Sequence, residues 1–146
     1  MSQLTARNPE FAAVVRDSFA RQGLMATLGA ELTVVEPGHV TIAVPFDDRL
    51  SQQQGFFHGG VTTSIVDSSC GYSALTLMAA GSEVLTVEFK INLFAPAAGE
   101  RLIARGRVVR GGRTITVCQG DAYAVRGGSE THCATMVATM MRVETA

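Results

Sequence analysis

Gln52-Gln53-Gln54-Gly55-Phe56-Phe57-His58-Gly59-Gly60 is the stretch that decides the fold. It leads, without a proline, into residues 61–80, which predict the longest helix of the chain, closed by Gly81. Glycines at a helix start let a ligand approach the backbone, and the first-turn N–H groups are unpaired at the positive end of the helix dipole. Asp67 is the only carboxylate of residues 61–80. The stretch therefore offers donors for an oxyanion, beginning at Gly59, and a carboxylate on the same helix.

Length and composition predict a single domain, residues 1–146, in a soluble protein. Hydrophobic residues make up 47% and charged residues 17%, which indicates burial between subunits as well as within one. With a net charge of −1 and no tryptophan, we expect neither nucleic acid nor a membrane as a partner. Residues 1–7 lack the apolar core of a signal peptide, and no run reaches the roughly 18 apolar residues that span a bilayer. A cytoplasmic location is expected.

Turn residues divide the rest of the chain into a short helix and six strands. Asn8 and Pro9 are typical of a helix start and Gly23 of a helix end, so residues 1–27 are expected to form a helical cover. The predicted strands are residues 28–35, 40–46, 84–94, 101–109, 114–125 and 130–143. Because short turns connect most of the last four, these are expected to form an antiparallel meander. The sequence predicts an α+β fold, with a curved antiparallel sheet of five to six strands wrapped around one long helix.

The strand that follows the long helix alternates in polarity. Strict alternation predicts that its apolar residues share one face and that its polar residues share the other. The apolar set is Leu85, Val87, Phe89, Ile91 and Leu93, and the polar set is Thr86, Glu88, Lys90 and Asn92.

The cysteines Cys70, Cys118 and Cys133 are odd in number and form no CxxC pair. Neither a disulfide framework nor a zinc site is expected from them. Each is predicted to be a small buried hydrophobic residue. No metal and no redox cofactor is predicted for the chain.

The motifs resemble those of hotdog-fold acyl-CoA thioesterases of the phenylacetate-pathway type, which are like 4-hydroxybenzoyl-CoA thioesterase. The resemblance runs from Leu28 to the C-terminus and follows the order of the elements. HGG alone is weak evidence, but a carboxylate nine residues after the histidine and a polar side chain six before it make the pattern more specific. The matching residues are Gln52-x-x-Gly55-x-x-His58-Gly59-Gly60, Asp67, Thr86-Val87-Glu88-Phe89 and Asn92-Leu93-Phe94-Ala95-Pro96.

The resemblance implies hydrolysis of an acyl-CoA thioester with an aryl or medium-chain acyl group. The N–H of Gly59 would polarise the thioester carbonyl, and Asp67 would act as a general base on water or as the nucleophile. Asp67 would come from the subunit that faces the one supplying the turn. His58 would position the turn and the thioester, Gln52 would hold the attacking water, and the Thr86 hydroxyl would assist. Family members often have asparagine at the position of Gln52, which leaves the substrate branch open.

Further substrate contacts are expected from Gly60 and Phe57. Coenzyme A carries phosphates, so cationic residues are expected at the mouth of the site. By resemblance these are Lys90, Arg110 and Arg113. An apolar acyl pocket is expected from Phe56, Phe57, Ala74, Leu75 and Met78.

Two other functions stay open at this point. A hotdog module can bind acyl-CoA as a sensor or carrier without cleaving it. A hotdog dehydratase is the other option, but it uses an Asp and a His at a different spacing, and this sequence does not show that pattern. A site shared between subunits implies a homodimer or a homotetramer.

Overall fold

A computed structural model describes residues 3–145 and has the predicted α+β architecture, a six-stranded antiparallel sheet around a long helix. The elements in chain order are α1 (Phe11–Ala20), α2 (Gly23–Leu28), β1 (Glu31–Glu36), β2 (His39–Pro45), a 3-10 turn (Asp48–Leu50), α3 (Gly59–Leu75), β3 (Ser82–Leu93), β4 (Arg101–Gly111), β5 (Ile115–Arg126) and β6 (Ser129–Glu144). No helix within residues 3–145 is long and apolar enough to cross a membrane.

The strand order is β1-β2-β4-β5-β6-β3, and every neighbouring pair is antiparallel. The predicted meander of the last four strands is therefore right for β4, β5 and β6 and wrong for β3. Both sides of β4 are occupied, by β2 and β5, so β3 cannot pair with it. Instead β3 pairs with β6 and forms one edge of the sheet.

The ends of the helices also differ from the prediction. α1 begins at Phe11 rather than at Pro9, because the Asn8 side chain accepts the N–H of Glu10 in a turn that precedes the helix. Gly23 begins a second helix instead of ending the first, so β1 starts at Glu31 and not at residue 28. α3 ends at Leu75, five residues before the predicted end, and a turn continues from there.

Two paired glycines of the sheet allow α3 to lie close to it. A Cβ at Gly106 would stand 2.4 Å from the backbone of Ser69, and one at Gly120 would stand 2.6 Å from the Val66 side chain. These distances are too short for real carbon contacts, so larger residues would push the helix off the sheet. The packing of α3, and with it the place of Asp67, depends on this close approach. The three cysteines are buried, as predicted.

The strict alternation predicted for β3 is wrong, because a bulge interrupts the strand between Thr86 and Glu88. Thr86 pairs with Met140 and Phe89 pairs with Ala138, and both partners are fully buried against the helix. Paired residues point to the same side of a sheet, so Thr86 and Phe89 share the concave face. This places the Thr86 hydroxyl beneath α3.

Candidate active site

The start of α3 leaves one backbone donor unused. His58 is the N-cap residue, and its Nδ1 accepts the N–H of Gly60 at 2.8 Å. Since Nδ1 acts as an acceptor, a neutral ring carries its proton on Nε2. The N–H of Gly59 makes no hydrogen bond to any residue between 3 and 145. Gly59 therefore presents a free donor at the positive end of the helix dipole.

A cavity of about 160 Å³ opens beside this donor. Gln52 lines it, although the side chain of Gln52 is also bonded within its own turn to Gln54. The walls are otherwise mostly apolar. The full lining is Gln52, Phe56, Phe57, Gly59, Thr62, Leu93, Ala95, Pro96 and Ala97. The predicted site residues Gln52, Phe57 and Gly59 thus lie together.

Asp67 lies two turns further along α3, partly buried against β3. The Thr86 hydroxyl donates a hydrogen bond to Asp67 Oδ1 at 2.7 Å. Burial raises the pKa of Asp67 above its ordinary value, and the bond from Thr86 partly opposes that rise. A raised pKa makes the Asp67 carboxylate a stronger base than an ordinary aspartate.

A second cavity, of about 270 Å³, adjoins Asp67. Sequence reasoning missed several of its polar residues. Gln22 Nε2 donates to the Tyr72 hydroxyl at 2.8 Å, and the Ser18 hydroxyl lies 3.2 Å from the same oxygen. Ser18 and Gln22 belong to the segment predicted as a cover, and no sequence pattern connects them to Asp67.

Gly59 and Asp67 of one chain cannot act on the same carbonyl. They are eight residues apart on one helix, a separation of about 12 Å at the helical rise. The donor and the carboxylate must each come within about 3–3.5 Å of the one small carbonyl group between them. Each group also lines its own cavity.

The remaining predicted residues are scattered. His58 and Gly60 line a third cavity, of about 410 Å³, beside α2. Lys90 bonds to Asn92 and pairs with Val137 on the convex face of the sheet, away from α3. Arg113 lines a fourth cavity, described below.

The fourth cavity, of about 180 Å³, lies at the C-terminal end of α3. Arg113 lines it together with Arg7 and Arg142, whereas Arg110 does not. Ala74 and Met78 also line it, whereas Phe56 and Phe57 line the cavity beside Gly59, so the residues predicted for an apolar pocket do not share a cavity within one chain. The length of α3 separates the two groups.

No group of three or more His, Cys, Asp or Glu side chains that suits a metal ion occurs in the part of the chain described here.

Comparison with solved structures supports the fold. The chain is 50% identical to a thioesterase family protein from Silicibacter pomeroyi, with a TM-score of 0.91 over 92% of this chain and 99% of that one. It also superimposes on PaaI, from the phenylacetic acid degradation operon of E. coli, with a TM-score of 0.83 over 97% of this chain and 99% of that one. Identity to PaaI is 15%, so that likeness is one of fold.

Comparison with curated sequences finds esterases and a CoA thioester hydrolase among the similar proteins. A putative esterase of Saccharolobus solfataricus is 30% identical over 63% of this chain, and the match spans 65% of that relative. The 1,4-dihydroxy-2-naphthoyl-CoA hydrolase of Listeria monocytogenes is 23% identical over 65% of this chain and 77% of that relative. The thioesterase superfamily profile matches residues 54–131, which include His58, Gly59, Asp67 and Thr86. The chain belongs to the thioesterase superfamily, has the hotdog fold of the PaaI-like type and is a thioester hydrolase.

Proposed function

We propose that the chain hydrolyses acyl-CoA thioesters with an aryl or medium-chain acyl group. The N–H of Gly59 binds the thioester carbonyl oxygen, and Asp67 activates a water molecule or attacks the carbonyl carbon itself. The observation that carries the proposal is that α3 holds two chemically suited groups. A free N–H lies at the start of the helix, and a partly buried carboxylate lies two turns further along it. The similarity to a naphthoyl-CoA hydrolase supports coenzyme A as the leaving group.

The free edge of β3 suggests how the two groups meet. β3 is 12 residues long and, among residues 3–145, pairs only on its β6 side. Four of its large apolar residues are about half exposed, between 44% and 55% of their surface: Leu85, Val87, Phe89 and Leu93. A long apolar edge strand favours pairing with another chain. A second copy of this chain fits, because it brings an edge of the same length and polarity.

Two-fold symmetry then assembles the site. Along β3, Gly59 lies against Leu93, and Asp67 lies against Thr86. When two copies of β3 pair antiparallel about a two-fold axis, the Leu93 end of one faces the Thr86 end of the other. Gly59 of one copy and Asp67 of the other then approach the same region. We infer a homodimer, or a homotetramer built from it, with two shared sites.

The chemistry needs little besides positioning and charge stabilisation. Asp67 takes a proton from water as the water oxygen bonds to the carbonyl carbon, and the carbonyl electron pair moves to the oxygen beside Gly59. Collapse of this intermediate breaks the carbon–sulfur bond and leaves the electron pair on the sulfur of coenzyme A. If Asp67 is instead the nucleophile, its oxygen bonds to the carbonyl carbon, the carbon–sulfur bond breaks and an acyl–aspartyl anhydride remains. Water then hydrolyses the anhydride to the free acid and the Asp67 carboxylate, and the N–H of Gly59 stabilises the oxyanion in both steps.

A thiol-release assay tests the proposal. The purified protein is offered a panel of aryl and alkyl acyl-CoAs, and free coenzyme A is measured with a thiol reagent. Turnover of at least one class is expected. Tight binding of the panel without thiol release would favour the non-catalytic acyl-CoA-binding module.

Thr86→Val is expected to move the pH dependence of the reaction. Its hydroxyl lowers the pKa of Asp67 against the effect of burial, so removing it lets that pKa rise further. The acid limb of kcat/KM against pH should shift to higher pH, with most of the loss at acidic pH. Thr139→Val is the control, since Thr139 bonds to Glu88 on the convex face. An unshifted acid limb in Thr86→Val would contradict this role.

Arg113→Ala is expected to raise KM for acyl-CoA about tenfold with little change in kcat, if the fourth cavity holds phosphates of coenzyme A. Arg7 and Arg113 make no ion pair within residues 3–145. Arg142 pairs with the exposed Glu144 at 3.6 Å, and its Nε donates a hydrogen bond to the Ser82 hydroxyl at 2.6 Å. For the same acyl group on N-acetylcysteamine, which has no phosphate, Arg113→Ala and the wild type should have the same KM. Exposed Arg16→Ala is the control. Equal KM effects on both thioesters would contradict phosphate binding.

A further inference from the structure

Three consecutive hydroxyl residues follow the start of α3, and two of them turn their hydroxyls back onto the helix. Thr63 Oγ1 donates to the carbonyl of Gly59 at 2.8 Å, and Ser64 Oγ donates to that of Gly60 at 2.7 Å. Thr62 is 1% exposed, and its Oγ1 is buried without a hydrogen-bond partner within residues 3–145. The Thr62 hydroxyl is therefore the exception among the three.

The usual acceptor for a helical threonine hydroxyl is the carbonyl four residues earlier, which for Thr62 belongs to His58. That carbonyl already accepts the N–H groups of Val61, at 2.9 Å, and of Thr62 itself, at 3.3 Å. A buried hydroxyl without a partner is unfavourable, and native proteins rarely keep one. A ligand that accepted this bond would remove the penalty.

The position of Thr62 indicates which ligand group that is. Thr62 lines the cavity beside Gly59. Side chains in a helix lean toward its N-terminus, so that of Thr62 lies over the turn that contains Gly59. Two donors without partners, the N–H of Gly59 and the O–H of Thr62, therefore belong to residues that line one cavity with mostly apolar walls. Thr62 Oγ1 itself is buried, so the hydroxyl reaches a ligand in the cavity by rotation about the Cα–Cβ bond.

We propose that Thr62 contacts the substrate, and that its hydroxyl donates a hydrogen bond to the thioester carbonyl oxygen beside the N–H of Gly59. The proposal rests on the proposed function. As the nucleophile bonds to the carbonyl carbon, the electron pair of the C=O bond moves to oxygen, and both donors strengthen their bonds to it. Thr62 keeps its proton throughout, because the proton of the attacking water goes to Asp67. The contact stabilises the transition state more than the bound substrate.

Three variants test this assignment. Thr62→Val keeps the shape and removes the hydroxyl, Thr62→Ser keeps the hydroxyl, and Thr63→Val removes a hydroxyl that is bonded to the helix. Thr62→Val is expected to lower kcat roughly 10- to 100-fold with little change in KM. Thr62→Ser should retain most of the activity, and Thr63→Val should match the wild type. Thermal denaturation should find Thr62→Val at least as stable as the wild type, since an unpaired buried hydroxyl is gone.

The outcomes separate this inference from the proposed function. Wild-type kcat in Thr62→Val, while the wild-type protein releases thiol normally, would overturn the role of Thr62 and leave the proposed function standing. Equal losses in Thr62→Val and Thr62→Ser, or a loss matched by a large fall in the thermal midpoint, would also overturn it, because either points to packing. A wild-type protein that releases no thiol from any acyl-CoA would overturn both.

Discussion

Asp67→Asn is expected to lower kcat for acyl-CoA hydrolysis by about 10²- to 10⁴-fold, the usual contribution of a general base. Asparagine has nearly the shape of aspartate and still accepts the hydrogen bond of Thr86 through its side-chain oxygen. It cannot take a proton from water at neutral pH, and it is a poor nucleophile. Steady-state kinetics on the best substrate of the panel measures the loss.

The same variant should not lose stability, which separates catalysis from folding. Burial raises the pKa of Asp67 in the folded state above its unfolded value. For such a group the stabilising contribution is complete below the unfolded pKa and is lost as pH rises through the folded pKa. At pH 7, well above the unfolded pKa, burial of the Asp67 carboxyl group therefore disfavours the fold, and Asp67→Asn should unfold at the same or a higher temperature. A wild-type rate in Asp67→Asn would contradict the mechanism.

Gly59→Pro is expected to lower kcat by about 10²- to 10³-fold, as removal of an oxyanion donor does. Proline lacks the N–H, yet it suits the first position of a helix. His58, which precedes it, has φ −62° and ψ 139°, a conformation that a residue before proline adopts readily. The variant thus removes the proposed donor and keeps the start of α3.

Gly59→Ala is the matched control for Gly59→Pro. Both variants add a Cβ, which would meet the end of the Leu93 side chain at 3.0 Å. Alanine keeps the N–H, so Gly59→Ala should lose much less activity than Gly59→Pro. Equal kcat losses in the two variants would assign the effect to crowding and would argue against an oxyanion donor at Gly59.

Local features of the sequence were enough to predict the helix start and its carboxylate. His58, Gly59 and Asp67 lie within one continuous segment, where N-cap and helix signals act over a few residues. The alternating strands and the single long helix also predicted the sheet and what it surrounds. These features depend on neighbours in the chain, and the sequence displays them directly.

Features that depend on distant partners were not predictable in the same way. The bulge between Thr86 and Glu88 exists only because β3 pairs with β6, and it decides which face Thr86 occupies. The bond of Gln22 to Tyr72 depends on how α1 and α2 pack on α3. Nothing in the sequence distinguishes Thr62 from the threonine after it. The two differ only in which groups surround their hydroxyls.

A mixture of Asp67→Asn and Gly59→Pro chains tests most directly whether the site is shared. In a mixed dimer one site combines an intact Gly59 from one chain with an intact Asp67 from the other, while the second site carries both substitutions. Random co-assembly of the two inactive variants, by co-expression or by refolding together, should therefore restore about a quarter of the wild-type activity per chain. A mixture no more active than its two components, although mixed dimers have formed, would show that each chain carries its own complete site and would contradict this account.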